Sequence, residues 1–262
     1  MKIAVCIKQV PSSEHVDVDT EKGILIRNNL ENKMNPLDLH ALEVGVNIKE
    51  NVGGEVSVIS MGPPQATEII KEAYSIGADK GYLLSDRKFA GADVLATSHA
   101  LAEGIKKIGD LDLILCGKLT VDGDTAQVGP ELATLLNIPH IIAVKEIIEC
   151  KEDSIVVERE MENGTQIVEV KFPCLLTIDK EASEPRLPSY IKMKESRDRE
   201  IKIFSMNDLE DTNEMNYGLQ GSPTKVENIF KATSEKEQEL WTGDGEVLGD
   251  KFSEKLKELK FI

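Results

Sequence analysis

The sequence predicts an α/β fold built on a doubly wound parallel sheet. Four short apolar runs, at residues 2–10, 55–61, 81–84 and 112–116, are rich in Val, Ile and Leu. They do not alternate cleanly, which is the pattern of strands buried on both faces. Segments with apolar residues at helical spacing separate them. Strand–helix alternation of this kind builds right-handed βαβ units. The 262-residue length suits one large domain, or one domain with appendages.

The first run reads as a core strand. Residues 11–34 then break the alternation. They carry Val16, Val18, Ile24, Leu25 and Ile26 around Glu21-Lys22-Gly23, which predicts an inserted β-hairpin. Asn35 predicts a helix N-cap, with Pro36 at the first helical position. Leu37, Ala41, Val44 and Ile48 form the stripe behind it. Pro63-Pro64 opens a second helix, with Ile69, Ile70 and Ala73 inward and Gly77 at its end. A third helix follows Gly91, with Val94, Leu101, Ile105 and Ile108 on one face.

A fourth helix follows Asp124 and carries Leu132, Leu135 and Leu136. Pro130 removes a backbone donor. The helix therefore either tightens after Thr125 or begins near Gly129. Beyond Pro139, strands are expected at 141–150, 155–160, 166–172 and 175–178, with a hairpin turn at Glu162-Asn163-Gly164. Some extend the parallel sheet and others form an antiparallel flap. From 181 the composition loosens, with charges, Pro185 and Pro188, and little periodicity before 252–259. This predicts an α/β domain over 1–180 and an extended C-terminal arm over 181–262 that ends in a short helix. An arm without its own core must lie on this domain or on a partner.

Composition narrows the function classes. The formal net charge is −16, which repels phosphate backbones and anionic lipid. Aromatic residues are 4%, too few for a stacking surface for single-stranded nucleic acid. No apolar run reaches the roughly 20 residues that span a bilayer. The start reads as a core strand rather than a signal segment, and a cytoplasmic location is expected. Cys6, Cys116, Cys150 and Cys174 have no CxxC spacing and are expected reduced and mostly buried. His15, His40, His99 and His140 lack metal-ligand spacing. None of the common nucleophile, P-loop or GxGxxG signatures is present.

One segment stands out for chemistry. Residues 116–130, CGKLTVDGDTAQVGP, follow the carboxyl end of a parallel strand and open a helix. Open α/β sheets bind ligands there. Gly117 and Gly123 permit close backbone approach. Thr125, Ala126, Gln127 and Val128 offer amide donors at a helix start, suited to a diphosphate. Lys118 adds a cation. Asp122 and Asp124 would repel phosphate, so they cap the helix, bind hydroxyls or face a partner. The loop at 85–93 follows another strand end. There Arg87 can neutralise a diphosphate or flavin dipole, and Phe89 can flank a ring. An ordinary βα loop with an Asp cap, and a solvated connector with one buried Phe, remain open for these two segments.

The segments KIAVCIKQVP (2–11), MNPLDLHALE (34–43), VSVISMGPPQA (56–66), DLILCGKLTVDGDTAQVGPELA (112–133), KFPCLLTI (171–178) and GSPTKV (221–226) resemble the β subunit of electron-transferring flavoproteins. The resemblance runs along nearly the whole chain. It implies an adenine-nucleotide α-hydrolase-like domain, paired as a heterodimer with a flavin-bearing α subunit. Simple members hold AMP in the β subunit. Electron-bifurcating members hold a second FAD there, reducible by NADH. SDRKFAGADVLATS (85–98) looks like the loop of the bifurcating type. The resemblance therefore implies FAD in the β site with NAD(H) as substrate, and structural AMP as the alternative. It also implies ferredoxin or flavodoxin as low-potential acceptor.

By resemblance, Cys6, Asn35, Pro36, Leu37, Asp38 and Met61 hold the adenosine end. Phosphates sit on Gly117 and on Thr125, Ala126, Gln127 and Val128. Asp86, Arg87, Phe89, Gly91 and Thr97 surround the flavin ring. No residue need act as acid or base, because the hydride and electron chemistry belongs to the flavin. Residues 185–194, PRLPSYIKMK, match the family's partner-anchoring loop, with Leu187, Tyr190, Ile191 and Met193 as anchors. The family usually continues with a lysine-rich run, whereas residues 195–200 here are ESRDRE. Tyr190 stands near where a leucine is common. The implied partner is thus a flavin dehydrogenase of acyl-CoA or 2-hydroxy-acid type.

Overall fold

The sheet is organised around its first strand. In the computed structural model, which describes residues 1–12, 32–227 and 239–262 together with the backbone of 18–19 and 24–25, the chain order is as follows. β1 (Lys2–Cys6), β2 (Gln9–Pro11), β3 (Val18–Asp19), β4 (Ile24–Leu25) and β5 (Asn32–Met34) precede α1 (Pro36–Val52). Then come β6 (Glu55–Met61), α2 (Thr67–Ile76), β7 (Lys80–Leu84), α3 (Val94–Ile108), β8 (Leu113–Gly117) and α4 (Val128–Leu136). β9 (His140–Cys150), β10 (Ser154–Met161), β11 (Gly164–Lys171) and β12 (Cys174–Ile178) follow. Last are α5 (Tyr190–Glu195), β13 (Ile201–Phe204) and α6 (Gly245–Glu258).

Nine strands form one sheet in the order β11-β10-β9-β12-β8-β1-β6-β7-β13. The pairings from β9 to β13 are parallel, whereas β10 pairs antiparallel with both β9 and β11. Successive side chains of a strand face opposite ways, so each central strand feeds two cores. Ile3, Val5, Leu113, Leu115 and Leu176 pack with α1 and α2 on one face. Ile59, Ile114, Leu175 and Leu84 pack with α3 and α4 on the other. This is the doubly wound α/β sheet that the sequence predicts.

Several local expectations change. The first apolar run yields a strand of only five residues, because the chain turns at Lys8 and Gln9–Pro11 pairs with Asn32–Met34 instead. The predicted hairpin side chains Val16, Val18, Ile24, Leu25 and Ile26 lie outside the described residues. The fourth helix starts at Val128, which puts Pro130 in the first turn where it loses no helical bond. Asn35 makes no side-chain cap on α1. Its amide instead donates to Leu119 O at 2.9 Å and accepts from Val121 N–H at 3.2 Å.

The expected arm does not begin at 181 throughout. Residues 201–204 add β13 to the sheet edge, and Tyr217 buries its ring beside Phe89 and His99. By contacts, residues 1–17 and 25–227 form one compact unit, and 18–24 with 228–262 form a second. In the second, Asp244 caps α6 through Glu246 N–H at 3.0 Å, and Lys251 lies 4.6 Å over the Trp241 ring.

Candidate functional site

Beyond β1 the chain goes through α1 to β6 on one side, and after β7 it crosses to β8 on the other. Loops diverge at such a reversal of strand order and leave a crevice at the carboxyl ends. A cavity of about 550 Å³ opens there. Cys6 and Cys116, paired in register across β1 and β8, line it together with Asp38 and Gly117.

Gly117 is the point of closest approach between β8 and α1. A Cβ there would collide with Asp38 Oδ1 and stand 2.8 Å from Leu37 C and 2.9 Å from Asp38 N. Asp38 is buried and accepts from Lys8 N–H at 2.8 Å. Burial pushes its carboxyl up to about 7, against the pull of hydrogen bonds from Asn35, Lys8 and Gly117. A hydrogen bond with Cys6, and burial, push the Cys116 thiol up, so it stays protonated.

The turn between β8 and α4 supplies the donors. Asp124 N–H bonds Thr120 O at 2.8 Å, and Asp124 and Ala126 both adopt left-handed backbone, with φ of 52° and 55°. A non-glycine residue pays roughly 1–2 kcal/mol there. Alternating conformations of this kind turn successive N–H groups toward one concave side. Among the described residues the amides of Thr125, Ala126, Gln127, Val128 and Gly129 have no acceptor. The first turn of α3, with Val94 and Thr97, borders the same cavity. Two helix N-termini therefore converge on it, each carrying partial positive charge.

The side-chain cations near this site are already engaged. Lys118 Nζ pairs with Glu160 at 2.9 Å and with Asp179 at 2.8 Å. Lys8 Nζ pairs with Asp122 at 2.8 Å. Among the described residues, the donors left without a partner at the cavity are thus backbone amides rather than a free ammonium.

Of the candidate site residues, Cys6, Asp38, Met61, Phe89, Gly91 and Thr97 line the cavity, and so do Gly117, Lys118, Thr125, Ala126, Gln127 and Val128. The other expected residues stand behind or outside it. Asn35 is fully buried and ties down the 119–121 turn, while Pro36 and Leu37 start α1 beneath Gly117. Asp86 caps the 87–89 turn and accepts from Met206 N–H at 3.1 Å. Arg87 is exposed and makes no ion pair among the described residues. Asp122 is held by Lys8, and Asp124 points into solvent.

Lys8 and Asp93, which lie in strand-end segments but carry no role of their own in the sequence reading, line the cavity as well, and so do Thr224 and Val226, which sequence reasoning missed. Thr224 and Val226 lie in the GSPTKV segment, but no spacing rule ties a segment about 100 residues downstream to this crevice. The described residues hold no cluster of metal-ligating groups, and no helix among them is long and apolar enough to cross a membrane. Cys6, Cys116, Cys150 and Cys174 are all free.

A second feature stands on another face. Leu187, Tyr190, Ile191 and Met193 are all at least half exposed, Leu187 at 88%. The backbone carrying them is fixed. Arg186 bonds Glu43 at 2.9 Å and Glu50 at 2.7 Å, and Ser189 N–H donates to Ser75 O at 3.0 Å.

Comparison with known proteins agrees with the fold. The family described as "Electron transfer flavoprotein domain" matches residues 22–209. The chain is 45% identical to an electron transfer flavoprotein subunit beta of Clostridium acetobutylicum, over the full length of both. It is 43% identical to the caffeyl-CoA reductase-Etf complex subunit CarD of Acetobacterium woodii, again over both whole chains. It is 38% identical to protein FixA of Azorhizobium caulinodans, over 91% of this chain and 87% of that one. With the doubly wound sheet and the crevice at its strand reversal, these matches establish that the chain belongs to the electron transfer flavoprotein family and is related to its β subunits.

Proposed function

We propose that the chain binds FAD in the crevice and takes hydride from NADH there. In this reading it delivers electrons one at a time, to a low-potential acceptor such as ferredoxin or flavodoxin and to the FAD of an α subunit. The α subunit in turn exchanges electrons with a flavin-dependent dehydrogenase. The observation that carries this reading is the run of acceptor-free amides at 125–129 beside an apolar, cofactor-sized cavity. Such a run suits a diphosphate, and Gly117 leaves room for backbone to approach it.

When bound, FAD supplies the hydride and single-electron chemistry. The chain's part is positioning. Residues 125–128 hold phosphate, Cys6, Asp38 and Met61 border the adenosine end, and Phe89, Gly91 and Thr97 border the ring. The 85–98 loop, SDRKFAGADVLATS, favours FAD over AMP in this site. Residues 239–262 carry exposed Val247, Phe252, Phe261 and Ile262, which suit burial against the α subunit. Leu187, Tyr190, Ile191 and Met193 suit docking of the dehydrogenase. Four free cysteines fit a reducing, cytoplasmic setting.

The test is the nucleotide content of the purified αβ complex, followed by titration with NADH. Two FAD per complex, both reduced by NADH, is the expected result. One FAD and one AMP would replace this reading with structural AMP and a docking role.

A further inference from the structure

The segment from Ser205 to Val226 crosses the start of α3 and is fastened in steps. Met206 N–H donates to Asp86, and Asp211 N–H donates to Glu103 at 3.0 Å. The Tyr217 hydroxyl donates to Asp211 O at 2.6 Å, and Leu219 N–H donates to Ala90 O at 3.1 Å. Gly218 takes a positive φ of 53° against Lys88 O and Ala90 O, where a Cβ would not fit. The last fastening is Asp93. Its N–H donates to Ser222 Oγ at 2.8 Å, and its Oδ1 accepts from Ala96 N–H at 3.1 Å, capping α3. Its Oδ2 accepts from Thr224 N–H at 3.0 Å and from the Thr224 hydroxyl at 2.7 Å. Past Thr224, residues 225–227 make no hydrogen bond among the described residues, yet Val226 still lines the cavity.

One carboxylate thus fixes two neighbouring parts of the cavity lining: the first turn of α3, with Val94 and Thr97, and the 224–226 strip beside it. We propose that Asp93 and Thr224 form a clasp, a pair of positioning residues that holds the 224–226 strip in the cavity wall and sets how fast a bound nucleotide leaves. The inference rests on reading the cavity as a nucleotide site. Opening the clasp frees the strip without disturbing the turn that receives phosphate, because residues 120–129 share no hydrogen bond with it. A hydrogen bond to a charged group governs an equilibrium by about tenfold or more, so the exit rate should respond on that scale.

The experiment uses the intact αβ complex. Release of FAD and of AMP is timed after rapid gel filtration, and both are quantified by chromatography. Thr224→Val removes the hydroxyl donor but keeps the shape and the backbone bond; Thr224→Ser restores the donor. Thr224→Val is expected to speed loss of the β-site nucleotide about tenfold. Loss of the α-subunit flavin should not change. Thr224→Ser should return the rate to within twofold of the parent. Equal β-site release from Thr224→Val and parent would overturn the clasp while leaving the nucleotide site standing. So would acceleration of both nucleotides together, which marks general loosening. A parent complex with no β-site nucleotide would overturn both.

Discussion

Gly117→Ala is the most direct probe of the crevice. The added methyl would overlap Asp38 Oδ1 and stand 2.8 Å from Leu37 C and 2.9 Å from Asp38 N. Two of these three neighbours are backbone of the first turn of α1, whose Ala41 and Leu42 are fully buried. Neither β8 nor α1 can give way cheaply, so the cost lies at the upper end of the overpacking range, about 3 kcal/mol. For a chain of this size that lowers the melting temperature by roughly 6–12 °C. Asp38 is displaced as well, so nucleotide content should fall with stability. Gly123→Ala is the control, because its Cβ meets only Thr120 Oγ1 at 3.4 Å and its backbone needs no positive φ. The assay is thermal unfolding of the purified complex, with nucleotide content measured on the same sample. If Gly117→Ala melts within 2 °C of the parent and keeps its nucleotide, the close approach of β8 to α1 does not matter as argued.

Three further outcomes are expected. The folded pKa of Asp38, about 7, lies above its ordinary value of 3.8, so its contribution to stability is full below about pH 4 and is lost as pH rises through 7. That amounts to something of the order of 4 kcal/mol, so Asp38→Asn should flatten the melting temperature between pH 5 and 8; an unchanged slope would assign the dependence to another group. Arg186→Ala leaves the buried Glu43 carboxylate without its guanidinium, at a cost of about 2–3 kcal/mol seen in urea unfolding, and limited proteolysis should find the 183–189 loop loosened. Tyr190→Ala with Met193→Ala, which truncates exposed side chains, should spare αβ assembly and NADH reduction. It should weaken dehydrogenase docking by about 2 kcal/mol per residue, and loss of αβ assembly would instead move these residues to the subunit interface.

Much of the site was legible because strand ends and helix starts are local events. The 2–6, 55–61 and 113–117 strands, the Pro36 helix start and the amide-bearing turn at 125–128 each follow from neighbouring residues. Charge roles were read less well. Lys118 reads as a free cation for phosphate, and Asp122 as a cap, a hydroxyl ligand or a partner contact, but Glu160, Asp179 and Lys8 claim them from strands and loops far along the chain. Asn35 looks like a cap, yet the fold brings Leu119 and Val121 within its reach. Arg87, beside a buried Phe89, ends up outside the cavity.

By itself the sequence determined the layering of this protein. Apolar runs without alternation need helices on both faces, and glycines and prolines mark where those helices stop and start. Only the tertiary structure decided that β13 joins the sheet edge and that Thr224 and Val226 border the crevice. Residues 201–227 show no apolar period of their own, because what holds them is hydrogen bonds and a few buried rings supplied by α3 and the 86–93 loop. Attachments of that kind join residues more than 100 positions apart and leave no periodic trace in the chain.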